Sequence, residues 1–372
     1  MLTRFQFSME KIMHKINVFI LLSLIIATPS AFSNPEANPW KCIRVLETCV
    51  VISAAYNPTG TEIVSASNDN TIRILNALTG KCMHTLTGHT EWVNSAAYNP
   101  TGTEIVSASR DCTVRIWDAI TGQCLHILTG HTDWVNSAAY NPAGTEIVSA
   151  SADSTIRIWD TITGQCLHTF AGHTDIIRSA AYNPTGDQIV STSDDCTVRI
   201  WNATTGECLH ILTGHTKIVF SVAYSPAETE IISASADTTV RIWNALTGQC
   251  LHVLKNHAGV VRSIAHNPTG TEIASASYDK TVRTWNTITG QCLHVLNGYK
   301  NFVSSVAYSP SGNEIVSASW GKKAHIWQNT AEVERIKKCK LAFATALYSE
   351  NSPAHNLSQF LAQQICDYAY QK

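Results

Sequence analysis

The sequence predicts an all-β protein, a seven-bladed β-propeller of four-stranded blades followed by a short C-terminal helical extension. Three observations predict it. One string recurs every 42 residues, each recurrence divides into four strand-like pieces, and no insertion interrupts the series between its second and seventh copies. Four short strands per period of this length is a propeller signature, because one blade cannot bury both of its faces alone and must stack around a ring.

The period is marked twice. Gly-His stands at Gly88-His89, Gly130-His131, Gly172-His173 and Gly214-His215, and Asn256-His257 and Gly298-Tyr299 continue the series with one residue altered. Trp-Asp or Trp-Asn follows at Trp117, Trp159, Trp201, Trp243 and Trp285, with Trp327-Gln328 last and Leu75-Asn76 in the same phase at the start. Within the second unit, "WVNSAAY" is an apolar run closed by the turn "NPTG". "TEIVSAS", the tight polar turn "RDC" and "TVRIW" come next, with β-branched and aromatic residues in alternation. "DAITG" turns the chain into the last piece, "QCLHILTG".

Outside the repeats the composition shifts. Arg4, Lys11 and Lys15 precede an apolar run from Val18 to Ala27, and Ala31 and Ser33 fit a small-x-small cleavage pattern. Residues 1–33 therefore read as a secretory signal peptide, with Met9 or Met13 as alternative starts. The run is short of the about 20 apolar residues that span a bilayer. Export to the periplasm or medium is expected, and a cytoplasmic scaffold with an uncleaved N-terminus is the rival. After Gln328, Val333, Ile336, Cys339, Phe343 and Leu347 recur at mixed three- and four-residue spacing. That pattern predicts one amphipathic helix, and "NLSQFLAQQICDYAYQK" resembles a second, making a helical hairpin of residues 329–372.

The whole chain has 372 residues, is 44% hydrophobic and 15% charged, and carries a net charge of −2 with no long Lys or Arg block. That balance argues against nucleic acid as the main partner. Of twelve cysteines, Cys82, Cys124, Cys166, Cys208, Cys250 and Cys292 share one repeat position. Equivalent positions in neighbouring blades should exceed the about 7 Å between Cα atoms that a disulfide tolerates. These six are expected to be small buried hydrophobes, with Cys339 and Cys366 the disulfide candidate. Each is followed two residues on by histidine, as in Cys124-Leu125-His126. Two ligands per blade fall short of the four that tetrahedral zinc takes, so a packed cysteine beside a solvent-facing histidine is expected, and no metal.

Taken together, the Gly-His, Ser-Ala-Ser-x-Asp and Trp-Asp elements, in that order and spacing, resemble the WD-repeat family (tryptophan–aspartate repeat β-propellers) over roughly residues 40–328. The resemblance implies that the sequence repeat is offset from the blade. "KCIRVLE" at 41–47 should then pair with the strands of residues 300–328 and close the ring, which removes exposed sheet edges.

Histidine, serine and aspartate together suggest catalysis, but a Ser-His-Asp triad needs one exposed nucleophile beside an oxyanion hole. Here the set recurs five times. His89, Ser107, Asp111 and Trp117 form the first, and His131, Ser149, Asp153 and Trp159 the second. The third is His173, Ser191, Asp195 and Trp201; then come His215, Ser233, Asp237 and Trp243, and His257, Ser275, Asp279 and Trp285. In the family these residues form a structural relay from the Trp indole N–H through Ser and His to the turn Asp. No phosphate loop, CxxC pair or unique carboxylate pair breaks the pattern, so neither catalysis nor a cofactor is expected.

Function is expected where the repeats disagree. The resemblance implies that the first residues of each innermost strand, and the residue before the turn Asp, ring the channel mouth. On this chain these are Trp92, Asn94 and Arg110, then Trp134 and Asn136, then Ile176, Arg178 and Asp194. Ile218 and Phe220 follow, then Val260, Arg262 and Tyr278, then Phe302 and Trp320, with Val50 and Ile52 from the first unit. Trp, Tyr and Arg are enriched in interface hot spots. The expected function is a non-catalytic scaffold, a monomeric propeller within a larger complex, that docks a protein or peptide on this rim. A carbohydrate- or envelope-binding module, with Trp92 and Trp134 stacking on sugars, is the alternative, and a propeller enzyme a lesser one. Gly321 replaces the last turn Asp, and Glu47 and Leu75 replace His and Trp in the first unit, so the weakest seam is expected where these two units meet.

Overall fold

A computed structural model of the protein describes residues 38–47, 50–321 and 323–338. Residues Trp40–Asn329 form one unit and the flanking residues another. The first unit is the seven-bladed propeller, each blade a four-stranded antiparallel sheet. The innermost strands are Val51–Tyr56, Val93–Tyr98, Val135–Tyr140, Ile177–Tyr182, Val219–Tyr224, Val261–His266 and Val303–Tyr308. Each packs on the next, and that of blade 7 packs on that of blade 1, so the ring is closed.

Closure uses the strand that the sequence leaves without a blade. Trp40–Glu47 pairs antiparallel with Lys323–Asn329, from Trp40 opposite Asn329 to Glu47 opposite Lys323, as the outer strand of blade 7. The hydrophobic core lies between blades rather than inside any one of them. Ile72, Ile74 and Leu86 of blade 1 meet Val93, Ile105 and Trp117 of blade 2, and the same arrangement repeats around the ring. Fully burying each such side chain contributes about 1.5–3 kcal/mol, which is why a blade is stable only between neighbours.

Five blades carry the relay in full. In blade 2 the Trp117 indole N–H donates to Ser107 Oγ at 2.8 Å, and His89 Nε2 lies 2.8 Å from the same oxygen. His89 Nδ1 lies 2.7 Å from Asp111 Oδ2. These contacts suit a neutral imidazole whose Nδ1–H donates to Asp111 while Nε2 accepts from Ser107. The geometry repeats through His131, His173, His215 and His257. Burial works against ionisation of the relay acids, but hydrogen bonds from His and Thr outweigh it and hold Asp111, Asp153, Asp237 and Asp279 well below the usual carboxylate range. Asp195 is pulled down to about 2 in the same way. Burial also lowers the imidazole pKa of His173 and His257. Gly88 is needed where the loop enters: its φ is +150°, and a Cβ there would sit 2.6 Å from an Arg115 nitrogen.

Blade 7 keeps the relay in altered form. Tyr299 takes the histidine place, its hydroxyl meets Ser317 Oγ, and the Trp327 indole donates to Tyr299 Oη at 2.6 Å. The seam to blade 1 carries interblade hydrogen bonds of the kind found at other boundaries. Ala54 N–H donates to Ser305 Oγ, Ser304 Oγ to the Val51 carbonyl and Tyr56 Oη to Glu314.

The fourth-strand cysteines correct one expectation. Cys82, Cys124, Cys166 and Cys250 are exposed rather than buried, Cys208 and Cys292 half-buried, and all six are free. Each opens the outermost strand just past a β-bulge, as between Ile116 and Trp117 opposite His126 and Cys124, where no further strand covers it. The partner histidines face solvent less than expected: His84, His126, His210, His252 and His294 are half-buried, and only His168 of the six is exposed.

In the second unit, residues 330–338 are helical, and Thr330 donates through N–H and hydroxyl to the Pro39 carbonyl. Exposed Glu332–Arg335 and Glu334–Lys337 pairs line that helix. The signal-peptide segment, the second helix and the Cys339–Cys366 pair lie outside the described residues.

Candidate docking face at the channel mouth

The rim is built by the turns at one end of the ring. Each innermost strand begins there, and each turn between the second and third strands returns there. The backbone ties the two together: Arg110 N–H donates to the Trp92 carbonyl, Asp194 to Ile176, Tyr278 to Val260 and Trp320 to Phe302. Strand pairing therefore brings together residues 16 to 18 apart in sequence, and their side chains meet over the channel mouth.

Three clusters result. On blades 2 and 3 the Arg110 guanidinium lies 4.1 Å from the Trp92 ring centre and 4.5 Å from that of Trp134, a cation sandwiched between two indoles. On blades 4 to 6, Arg178 makes a two-pronged ion pair with Asp194 at 2.6 and 2.5 Å. Phe220 beside it faces both Arg178, at 5.7 Å, and Arg262, at 4.4 Å. On blades 6 and 7, Tyr278 stacks on Phe302 at 4.7 Å, and Trp320 meets both edge-on.

Exposure separates contact surface from packing. Trp92 is 36% exposed, Trp134 45%, Phe302 40% and Trp320 47%, large values for aromatics gathered on one face. Ile176, Ile218, Val260, Val50 and Ile52 are half-buried among them. Asn94 and Asn136 have a structural task instead. Their amide groups donate across the blade boundary to the carbonyls of Val135 and Ile177, at 2.9 and 2.8 Å. Asn94 also accepts, at 3.4 Å, from the Arg110 side chain that the indoles hold.

The family model for the WD domain, G-beta repeat, matches residues 40–76, 80–118, 122–160, 164–202, 206–244, 248–286 and 290–328. The chain belongs to the WD-repeat family. No curated protein matches it. WD-repeat propellers commonly serve as protein-interaction scaffolds and are generally non-catalytic. Among the described residues no three His, Cys, Asp or Glu side chains gather as a metal site, and no helix is long and apolar enough to cross a membrane.

Sequence reasoning passed over the opposite mouth of this WD-repeat ring. There a funnel of about 630 Å³ is lined by the Tyr-Asn-Pro turns that end the innermost strands. Each tyrosine hydroxyl reaches the preceding blade: Tyr98 donates to Glu62 at 2.9 Å, Tyr140 to Glu104, Tyr182 to Glu146, Tyr224 to Gln188, Tyr308 to Glu272 and Tyr56 to Glu314. Blade 6 breaks the series. His266 occupies the tyrosine place, and neither ring nitrogen has a hydrogen-bond partner. Burial lowers its pKa to about 4, and burial raises that of Glu230, the blade 5 acid left without a latch. The signal was present in the sequence as the only His-Asn-Pro among the Tyr-Asn-Pro and Tyr-Ser-Pro turns.

Proposed function

We propose that this protein is a non-catalytic interaction scaffold that docks a protein or peptide partner on the Trp- and Arg-bearing mouth of its channel. One observation carries this reading: the positions at which the blades differ most converge on one rim and expose four large aromatics beside three arginines. Tight interfaces are anchored by such residue types. The remainder of each blade is spent on relays and interblade packing, which any ring of this kind needs.

The geometry supports a protein partner better than a sugar. A sugar ring stacks on an open indole face, and Arg110 covers one face of both Trp92 and Trp134. Affinity capture with the full chain tests the reading, comparing it with a variant in which Trp92, Trp134 and Trp320 are all changed to alanine. A specific partner retained by the unchanged chain should be lost from the triple variant, and equal retention by both disproves the rim as the docking face.

Export belongs to the same proposal. The charged, apolar and small-residue segments of residues 1–33 support a cleaved leader. Mass spectrometry of the native N-terminus should find a start near Asn34, and an intact Met1 would remove export from the proposal.

A further inference from the structure

The rim holds positive charge that, among the described residues, no close ion pair balances at Arg110 or Arg262. Arg178 has Asp194, but among the described residues no carboxylate forms an ion pair with Arg110 or Arg262. Both are half-buried, Arg110 between two indoles and Arg262 against Phe220 with Tyr278 beside it. Burial first, and then repulsion from the neighbouring guanidiniums, lower the pKa of Arg110 and Arg262, outweighing the pull of Glu91 on Arg110 and of Tyr278 on Arg262. Withdrawing a guanidinium from water without an anion is unfavourable, and an arriving carboxylate relieves that cost at both arginines.

The surrounding loops are polarised. Exposed Glu91, Asp133 and Asp175 precede the innermost strands of blades 2 to 4, whereas exposed Lys217, Lys280 and Lys300 lie on blades 5 to 7. A long polyanion such as nucleic acid, laid across the whole mouth, would meet the first group, and it needs a continuous cationic track. A short acidic segment does not.

We propose that the mouth recognises a short acidic segment of a partner protein, with two carboxylates pairing to Arg110 and Arg262 and a neighbouring apolar side chain packing on Tyr278, Phe302 and Trp320. The acidic run extends from the centre toward the lysines of blades 5 to 7. This rests on the docking reading above and adds the chemistry of its partner.

Selection from a displayed library of random heptapeptides, with the full chain as bait, tests both separately. Peptides that require the rim should be enriched in Asp and Glu. Changing their acids to Gln or Asn should weaken binding at least about tenfold, the effect of losing one charge-assisted hydrogen bond. An Arg110→Gln, Arg262→Gln variant with an unchanged melting temperature should show the same loss, and Arg110→Lys with Arg262→Lys should recover part of it. Rim-dependent peptides without acidic enrichment would overturn the acidic partner and leave the docking face standing. Peptides indifferent both to the arginines and to Trp92, Trp134 and Trp320 would overturn both. A single-stranded oligonucleotide that binds this mouth more tightly than the selected peptides would also overturn the proposal.

Discussion

The two mouths of the channel are made by opposite ends of the same repeated strands, yet they are composed on opposite plans. At the funnel end Tyr, Asn or Ser, and Pro recur blade after blade, and six tyrosine hydroxyls are each given to the neighbouring blade. At the rim end one position, just before the turn that follows the second strand, is filled by Asn68, Arg110, Ala152, Asp194, Ala236, Tyr278 and Trp320 in successive blades. Groups that repeat are satisfied internally and hold the ring together. Among the groups that do not repeat, Arg110, Tyr278 and Trp320 bring ring faces and charge to the mouth. Substitution of a repeated group should therefore be read in stability, and substitution of an unrepeated one in binding.

Acid should produce the largest effect, because it acts on all the repeated relays at once. The relay aspartates have folded pKa values below their ordinary 3.8. Their stabilisation is present above pH 3.8 and is lost as pH falls through the depressed values. His173, His257 and His266 have folded values below 6.5, so their contribution is lost over a higher window, from 6.5 downward, to about 4 for His266. His294 and His325, lowered by burial, act in the same sense, and Glu230 acts in the opposite sense above 4.5, as one group against five. The denaturation midpoint, followed from neutral pH into acid, should fall in these two stages, and a level profile would disprove the relay electrostatics.

Breaking one relay comes next. Trp159 is buried and donates to Ser149, and Trp159→Ala removes an indole packed between blades 2 and 3. The expected loss is about 3–5 kcal/mol in chemical denaturation. A loss below about 1 kcal/mol, typical of an exposed site, would mean that the repeated groups do not carry the ring.

His266→Tyr is a smaller test with the opposite sign. It should restore the missing latch to Glu230 and stabilise the ring by about 1 kcal/mol, the net value of one hydrogen bond. It should also flatten the acid profile in the window assigned to His266. Destabilisation by the tyrosine would show that blades 5 and 6 are spaced for the imidazole, and the funnel would then not be uniform by design.

The fold was legible because stacking forces every blade to solve the same packing problem, so strand, turn and relay residues recur at fixed spacing. Closure by Trp40–Glu47 was equally legible, since that strand has no blade of its own in the sequence. Two matters were not. The cysteines looked buried because period alone does not say that the fourth strand is an edge with nothing beyond it. Trp92, Arg110 and Trp134 were each visible as rim residues, but their sandwich forms only when strand pairing and the ring bring residues 92, 110 and 134 together. At the closure seam, Tyr299 completes the relay of blade 7 and Tyr56 latches blade 1 to blade 7, while the tyrosine latch is missing between blades 5 and 6.

The smallest effect on stability should come from the rim itself, which makes it the sharpest separation of the two mouths. Changing Trp92, Trp134 and Trp320 to alanine removes aromatics that are a third to a half exposed and hold no interblade hydrogen bond among the described residues. Each change should move stability by no more than about 0.5 kcal/mol, even though Arg110 loses its two indole partners, because the guanidinium then regains water. Thermal denaturation of the triple variant beside Trp159→Ala provides the comparison within one scaffold. If the rim variant is destabilised as much as the relay variant, the exposed aromatics are part of the ring's packing, and the contrast between a repeated mouth that holds and an unrepeated mouth that binds fails.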